Sequence, residues 1–318
     1  MQTRVLITID TELTWRHHEP GFGWEYNYAR SVEPAGVGLS YQLAKLAEHG
    51  LKACFFVDPM PAVLFGLDPV KRMVETVLAA GQEVQLHLHP MWEGARIDGS
   101  KDPATPFELT DHDLEAQAKL IAKARDLLVS AGAPNPIAFR SGSFAANADT
   151  LAALARLGIA YDSSHNGCEA PWPSALALPP EQIAPTKLGG VIEIPVSQVL
   201  TPRGGLRHLQ ICAVSIGEMR TALRHAVAQQ LPLVTIVGHS FELATRNGLY
   251  PNSIVKACFD RLCALLAHRR DTSPTVHFAD FADLPLGGRG EPARVSHFAV
   301  AQRMARQLLS NVIDRLAA

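Results

Sequence analysis

Strand-like and helix-like runs alternate along most of this 318-residue chain, and that alternation limits its fold more than any other feature. Short apolar, β-branched runs fall at Val5–Ile9, Leu51–Val57, Glu83–His89, Pro136–Arg140, Ile159–Asp162, Val191–Val196, Leu233–His239 and Thr275–Phe278. Between them lie amphipathic stretches at about Val37–Glu48, Asp68–Ala80, Asp111–Ser130, Asn147–Leu157, Ile216–Gln229 and Ser253–His268. Thr110 is the expected N-cap of the third of these, and a last helix is expected at about 297–316. Strands separated by helices predict an α/β fold with a parallel sheet, open or closed into a barrel. Trp172–Gly190 and Leu284–Pro292 read as long loops rather than linkers, so residues 1–318 are expected to form one domain.

The polar residues fall where these strands end. Asp10 and Glu12 follow the first, His87 and His89 end the third, and Arg140, Asp162 and His239 close three others. In parallel α/β folds the C-terminal strand ends carry the active site. Side chains at i and i+2 of a strand share a face, so His87 and His89 can converge on one point. A carboxylate from a neighbouring strand would complete a three-ligand site with an open position, as catalytic zinc requires. Asp10 and Glu12 stand in the same relation, and either could be a metal ligand while the other serves as a base. Arg140 follows an apolar run and needs a carboxylate partner; His239 could donate a proton, with Glu242 as its orienting group. His17-His18 falls in what reads as a polar loop near these residues.

Composition removes several other classes. Lys and Arg number 29 against 31 Asp and Glu, which gives no basic excess for nucleic acid. Five cysteines in no paired spacing suggest neither a disulfide framework nor a thiolate zinc site, and Cys54 and Cys212 read as buried. No run of about 18 apolar residues is present to span a membrane. No secretory leader is visible at the start, so the cytoplasm is the expected compartment. Glycine-rich phosphate loops and the G-x-S-x-G elbow of serine hydrolases are missing.

In this order, the residues resemble the polysaccharide deacetylases of carbohydrate esterase family 4, which share NodB homology. Thr8-Ile9-Asp10-Thr11-Glu12 is similar to the first motif, with Thr11 in place of its second Asp. His87-Leu88-His89-Pro90 stands for the histidine pair, Met91 occupying the usual place of the second histidine. Phe139-Arg140-Ser141-Gly142-Ser143-Phe144 resembles the third motif, with Gly142 for its proline. Tyr161-Asp162-Ser163-Ser164 and His239-Ser240 stand for the fourth and fifth.

The resemblance implies a distorted (β/α) barrel of seven or eight strands and a divalent metal, zinc foremost. It implies Asp10 as general base, Glu12, His87 and His89 as metal ligands, Arg140 as the group that positions Asp10, and His239 as general acid. Trp92, Ser141, Asp162 and Trp172 are the candidates for substrate contact. The expected activity is removal of an N-acyl, foremost N-acetyl, group from an amino sugar or polysaccharide precursor. A small non-sugar amide or formamide is the alternative substrate, and a catalytically inactive sugar-binding module the alternative function.

Overall fold

The computed structural model describes residues 2–288 and 290–317. Its main sheet is built from β1 (Arg4–Thr11), β2 (Cys54–Val57), β3 (Glu83–Leu88), β4 (Ala138–Ser141), β5 (Tyr161–Asp162), β6 (Thr186–Leu188), β7 (Val191–Glu193) and β10 (Leu233–His239). Three short strands, β8 (Gln198–Leu200), β9 (Leu206–His208) and β11 (Ala293–Arg294), make a second sheet. The helices are α1 (Trp15–His18), α2 (Trp24–Ser31), α3 (Leu39–Glu48), α4 (Ala62–Phe65), α5 (Asp68–Ala79), α6 (Leu114–Ser130), α7 (Ala148–Arg156), α8 (Ile216–Ala228), α9 (Ser253–His268) and α10 (His297–Ala317).

The main sheet runs β10-β1-β2-β3-β4-β5-β7-β6, all parallel except the β6–β7 pair. It is a distorted, open (β/α) barrel, the form that the resemblance implies and that the alternation allows. The free edge of β10 is covered by Leu209–Ile211, whose backbone exchanges hydrogen bonds with Val237. Strands buried on both faces read as near-continuous apolar runs, and β1 is buried along its whole length after Arg4.

Side-chain alternation divides the barrel interior into two zones. Leu6, Cys54, Phe56, Ala138 and Leu233 fill the end where the strands begin. Two or more positions further along the same inward faces come Asp10, His87, Arg140 and His239. Register aligns them: Asp10 lies opposite His239 of β10, and His87 opposite Arg140 of β4. The larger core lies on the outer faces, where Ile7, Phe55, Leu86 and Ile236 meet Leu43, Met73, Ile121, Leu223 and Phe259 of the helices.

Two expectations are corrected. Thr275–Phe278 forms no strand beyond a bridge from Thr275 to Val5. Its chain turns inward instead, and Phe278 and Phe281 close the apolar end of the barrel against Phe56 and Tyr161. Helix α6 starts after Asp113, whose carboxylate caps the Ala116 N–H at 2.9 Å, because Thr110 is taken into a preceding 3₁₀ turn. Helix α10 lies against α8 and α9. Arg303 is its buried residue, while Phe298, Met304, Leu308, Leu309, Val312 and Leu316 are exposed. No helix among the described residues is long and apolar enough to cross a membrane.

Candidate active site

Four strand ends bring the predicted acid, base and cation candidates together at one mouth of the barrel. Glu12, just past β1, meets His87 and His89 so that one ligand atom from each lies within 4.8 Å of the others. Glu12 Oε2 is 2.7 Å from His89 Nε2 and 3.4 Å from His87 Nε2, yet this buried oxygen accepts no hydrogen bond. His87 Nδ1 sits 2.8 Å from the Arg140 carbonyl, which fixes the proton on Nδ1 and leaves Nε2 as a lone-pair donor. Three ligand atoms that converge on one point, two of them imidazole nitrogens and one a carboxylate oxygen, suit zinc or a similar divalent ion.

Electrostatics follow from burial and charge. Burial penalises the Glu12 carboxylate, but the two histidines outweigh it and hold Glu12 well below its usual range. Burial pushes His89 down, but Glu12, with the charges of Asp58 and Glu108, brings it up to about 9. Gly142 packs flat on this ring: a Cβ there would stand 2.3 Å from His89 Nδ1. That contact explains glycine at the position where the related motif carries proline. The turn after it is strained, with Ser143 and Phe144 both at positive φ (53° and 59°).

Asp10 occupies the other half of the site. Arg140, fully buried, donates from Nη1 to Asp10 Oδ1 at 2.7 Å and is held by the Ser163 carbonyl and hydroxyl, each at 3.0 Å. Its guanidinium also lies 4.4 Å above the Phe56 ring. Asp10 Oδ2 is 3.7 Å from His239 Nε2. The far side of that imidazole contacts Glu242 Oε1 at 2.7 Å. Burial lowers the His239 pKa, but the hydrogen bond and charge of Glu242, helped by Asp10, bring it up to about 9. Gln210 donates to Glu242 and is bonded in turn to His208, so the orienting carboxylate is itself fixed.

The four candidates for substrate contact fare differently. Trp92 is fully buried, packed on Trp15, His18 and Phe65, and belongs to the core. Ser141 is buried too: its hydroxyl donates to the Ala145 carbonyl and its N–H to Ser164 Oγ, so neither faces a ligand. Asp162 is fully buried, accepts the Ser164 hydroxyl at 2.6 Å and lies opposite Glu193 of β7. Burial pushes both carboxyls up, since two adjacent buried acids resist double ionisation. Trp172 is 57% exposed, on a segment whose Ser174 bridges to Ala146.

The expected polar loop at His17-His18 is helix α1, which buries both rings. Cys54 is buried as predicted, but Cys212 is exposed, because it sits in the turn that precedes α8. The sequence reading missed Asp58, a buried carboxylate directly after β2. Burial raises it to about 6 against the pull of His89 and His87. Its signal was available: an acid closing an apolar run, as Asp10 does.

The fold is shared with solved structures. A candidate polysaccharide deacetylase from Mycobacterium smegmatis superposes with a TM-score of 0.52 at 16% identity, over 92% of this chain and 96% of the other. The 4-alpha-glucanotransferase of Thermococcus litoralis gives 0.53 at 13% identity, over all of this chain and 46% of that one. A family 4 carbohydrate esterase from Streptomyces lividans, in complex with acetate, gives 0.43 at 15% identity, over 91% and 98%. No protein-family model matches the sequence, and no curated protein matches it.

Proposed function

We propose that this protein is a metal-dependent amide hydrolase that removes an N-acyl group, foremost acetyl, from an amino sugar. One observation carries the reading: a three-donor cluster, an arginine-held carboxylate and a carboxylate-held histidine share one barrel mouth. The resemblance of the five motifs, in order, to the family 4 deacetylases supports it and suggests zinc.

Glu12, His87 and His89 would hold the ion, which supplies Lewis acidity to the amide carbonyl and to water. The remaining chemistry belongs to the chain. Arg140 fixes Asp10 through Oδ1, which leaves Oδ2 to take the proton of the attacking water. His239 carries its proton below about pH 9 and gives it from Nε2 to the departing amine. Glu242 keeps the imidazole turned so that Nε2 faces the site.

The general acid is the charged imidazole, so kcat falls as pH rises through the His239 pKa. Glu242→Gln removes the main cause of the elevation, and the alkaline limb then moves down from about 9 toward imidazole's ordinary 6.5. At pH 8 the variant should lose on the order of tenfold in kcat and regain most of it on acidification. An equal loss at every pH would assign Glu242 a purely structural role.

Acid release from a panel of N-acetyl sugars, their phosphates, formamides and small amides tests the reading itself. Release from the sugars is expected. Turnover confined to small amides would move the assignment to a non-sugar amidohydrolase, and sugar binding without release would leave a binding module.

A further inference from the structure

Beside the site, a cleft of about 490 Å³ opens between α1, the Phe241–Asn252 segment and the inner side of α10. It continues into a second of about 570 Å³, and Arg16, His17 and Arg246 line both. Arg30 joins the first and Arg315 the second. The ion pairs that arginines make among the described residues involve Arg4, Arg96, Arg125, Arg140, Arg156 and Arg303, none of which is one of these four.

Aromatic rings hold two of them instead. The Arg16 guanidinium lies 5.2 Å over Phe241 and that of Arg30 lies 3.6 Å over Tyr26, contacts that restrain a guanidinium without cancelling its charge. Burial and the like charge of Arg246 press on Arg16 and outweigh the pull of Glu12 and Asp314, a balance that a bound anion would shift in favour of the charged guanidinium. Two carboxylates line the cleft. Glu242 is committed to His239 and Gln210, and Asp314 accepts the Arg246 backbone N–H at 3.0 Å. With the Glu242 charge offset by the His239 imidazolium, Arg16, Arg30 and Arg246 against Asp314 leave a surplus of two positive charges. That matches a phosphate ester, of roughly −1.5 to −2 at neutral pH, better than a single carboxylate.

Phe241 links this cleft to the chemistry, since its ring also packs on His239 with centroids 4.9 Å apart. We infer that the cleft is a phosphate subsite, and that the N-acyl sugar reaches Asp10 and His239 as a phosphate ester with its phosphate on Arg16, Arg30 and Arg246. The inference rests on the hydrolase reading for its sugar and on the cleft alone for its anion.

Calorimetric binding to the intact protein separates the two. Inorganic pyrophosphate should bind wild type, weaken with added sodium chloride, and lose about tenfold in Arg246→Gln, whose side chain is exposed, and in Arg16→Gln. N-acetylglucosamine 1-phosphate should bind about tenfold or more tighter than N-acetylglucosamine, a preference that both variants erase. UDP-N-acetylglucosamine and a short polyprenyl diphosphate sugar then tell a nucleotide-linked source from a lipid-linked one. Pyrophosphate that fails to bind, or binds both variants like wild type, overturns the subsite. Pyrophosphate binding with no acyl release from any sugar leaves the subsite standing and removes the hydrolase reading.

Discussion

Asp10→Asn should reduce acyl release by about 10³-fold or more while metal content stays at the wild-type level. Asparagine keeps a carbonyl oxygen for Arg140 Nη1 but cannot accept the proton of the attacking water. The substitution also decides a question that spacing leaves open, because Asp10 and Glu12 are one residue apart and either could have been the ligand. The structure turns Glu12 toward the two histidines and Asp10 toward Arg140 and His239. Loss of metal in Asp10→Asn would reverse that division. Neutralising Asp10 leaves the Arg140 charge buried without its counter-ion, a change that can cost about 3–5 kcal/mol. The variant's unfolding temperature should therefore fall, and activity is to be read well below it. Activity within a few fold of wild type would remove Asp10 as the base.

The second large effect belongs to His89→Ala. Deleting one of three donors should abolish stoichiometric metal binding and turnover together, and His87→Ala and Glu12→Gln should do the same. The three variants form a set with a contrast built in: ligand variants lose metal and activity, whereas Asp10→Asn loses activity alone. Metal content measured by atomic emission, on protein whose fold is verified by circular dichroism, gives the first column of that comparison. Rate measurements give the second. A ligand variant that keeps both metal and turnover would exclude its residue from the centre.

Much of this arrangement is legible in the sequence because strands impose period two. His87 and His89 can share a direction because the chain stays extended through the end of β3, and the apolar run before them establishes that; Asp10 and Glu12 are placed by the end of β1 in the same way. Register needs no reading once each strand ends in a polar residue, since parallel strands present those ends on one side. What the sequence hides lies off the strands. Trp92, in the turn after β3, carries no periodicity to show whether it faces the site or the core, and it goes to the core with Trp15 and His18. His17 and His18 look polar on paper, yet a four-residue helix buries both rings. Thr275–Phe278 has the composition of a strand but lies where Phe278 gains more by filling the open end of the barrel. The strands β8, β9 and β11, of two or three residues, are too short to show alternation at all. Ser141 is a subtler case: its place after Arg140 suggested a role toward substrate, but its hydrogen bonds to Ala145 and Ser164 shape the turn that lets Gly142 meet His89.

The proposed amide hydrolysis requires a metal held by Glu12, His87 and His89. Its most direct test is acyl release from an N-acetyl sugar by protein stripped with a chelator and then titrated with zinc. Activity should be absent in the stripped protein and return with a break at one equivalent of zinc, and His89→Ala should show no return. Full turnover by the metal-free protein, or recovery of His89→Ala to the wild-type rate, would contradict it.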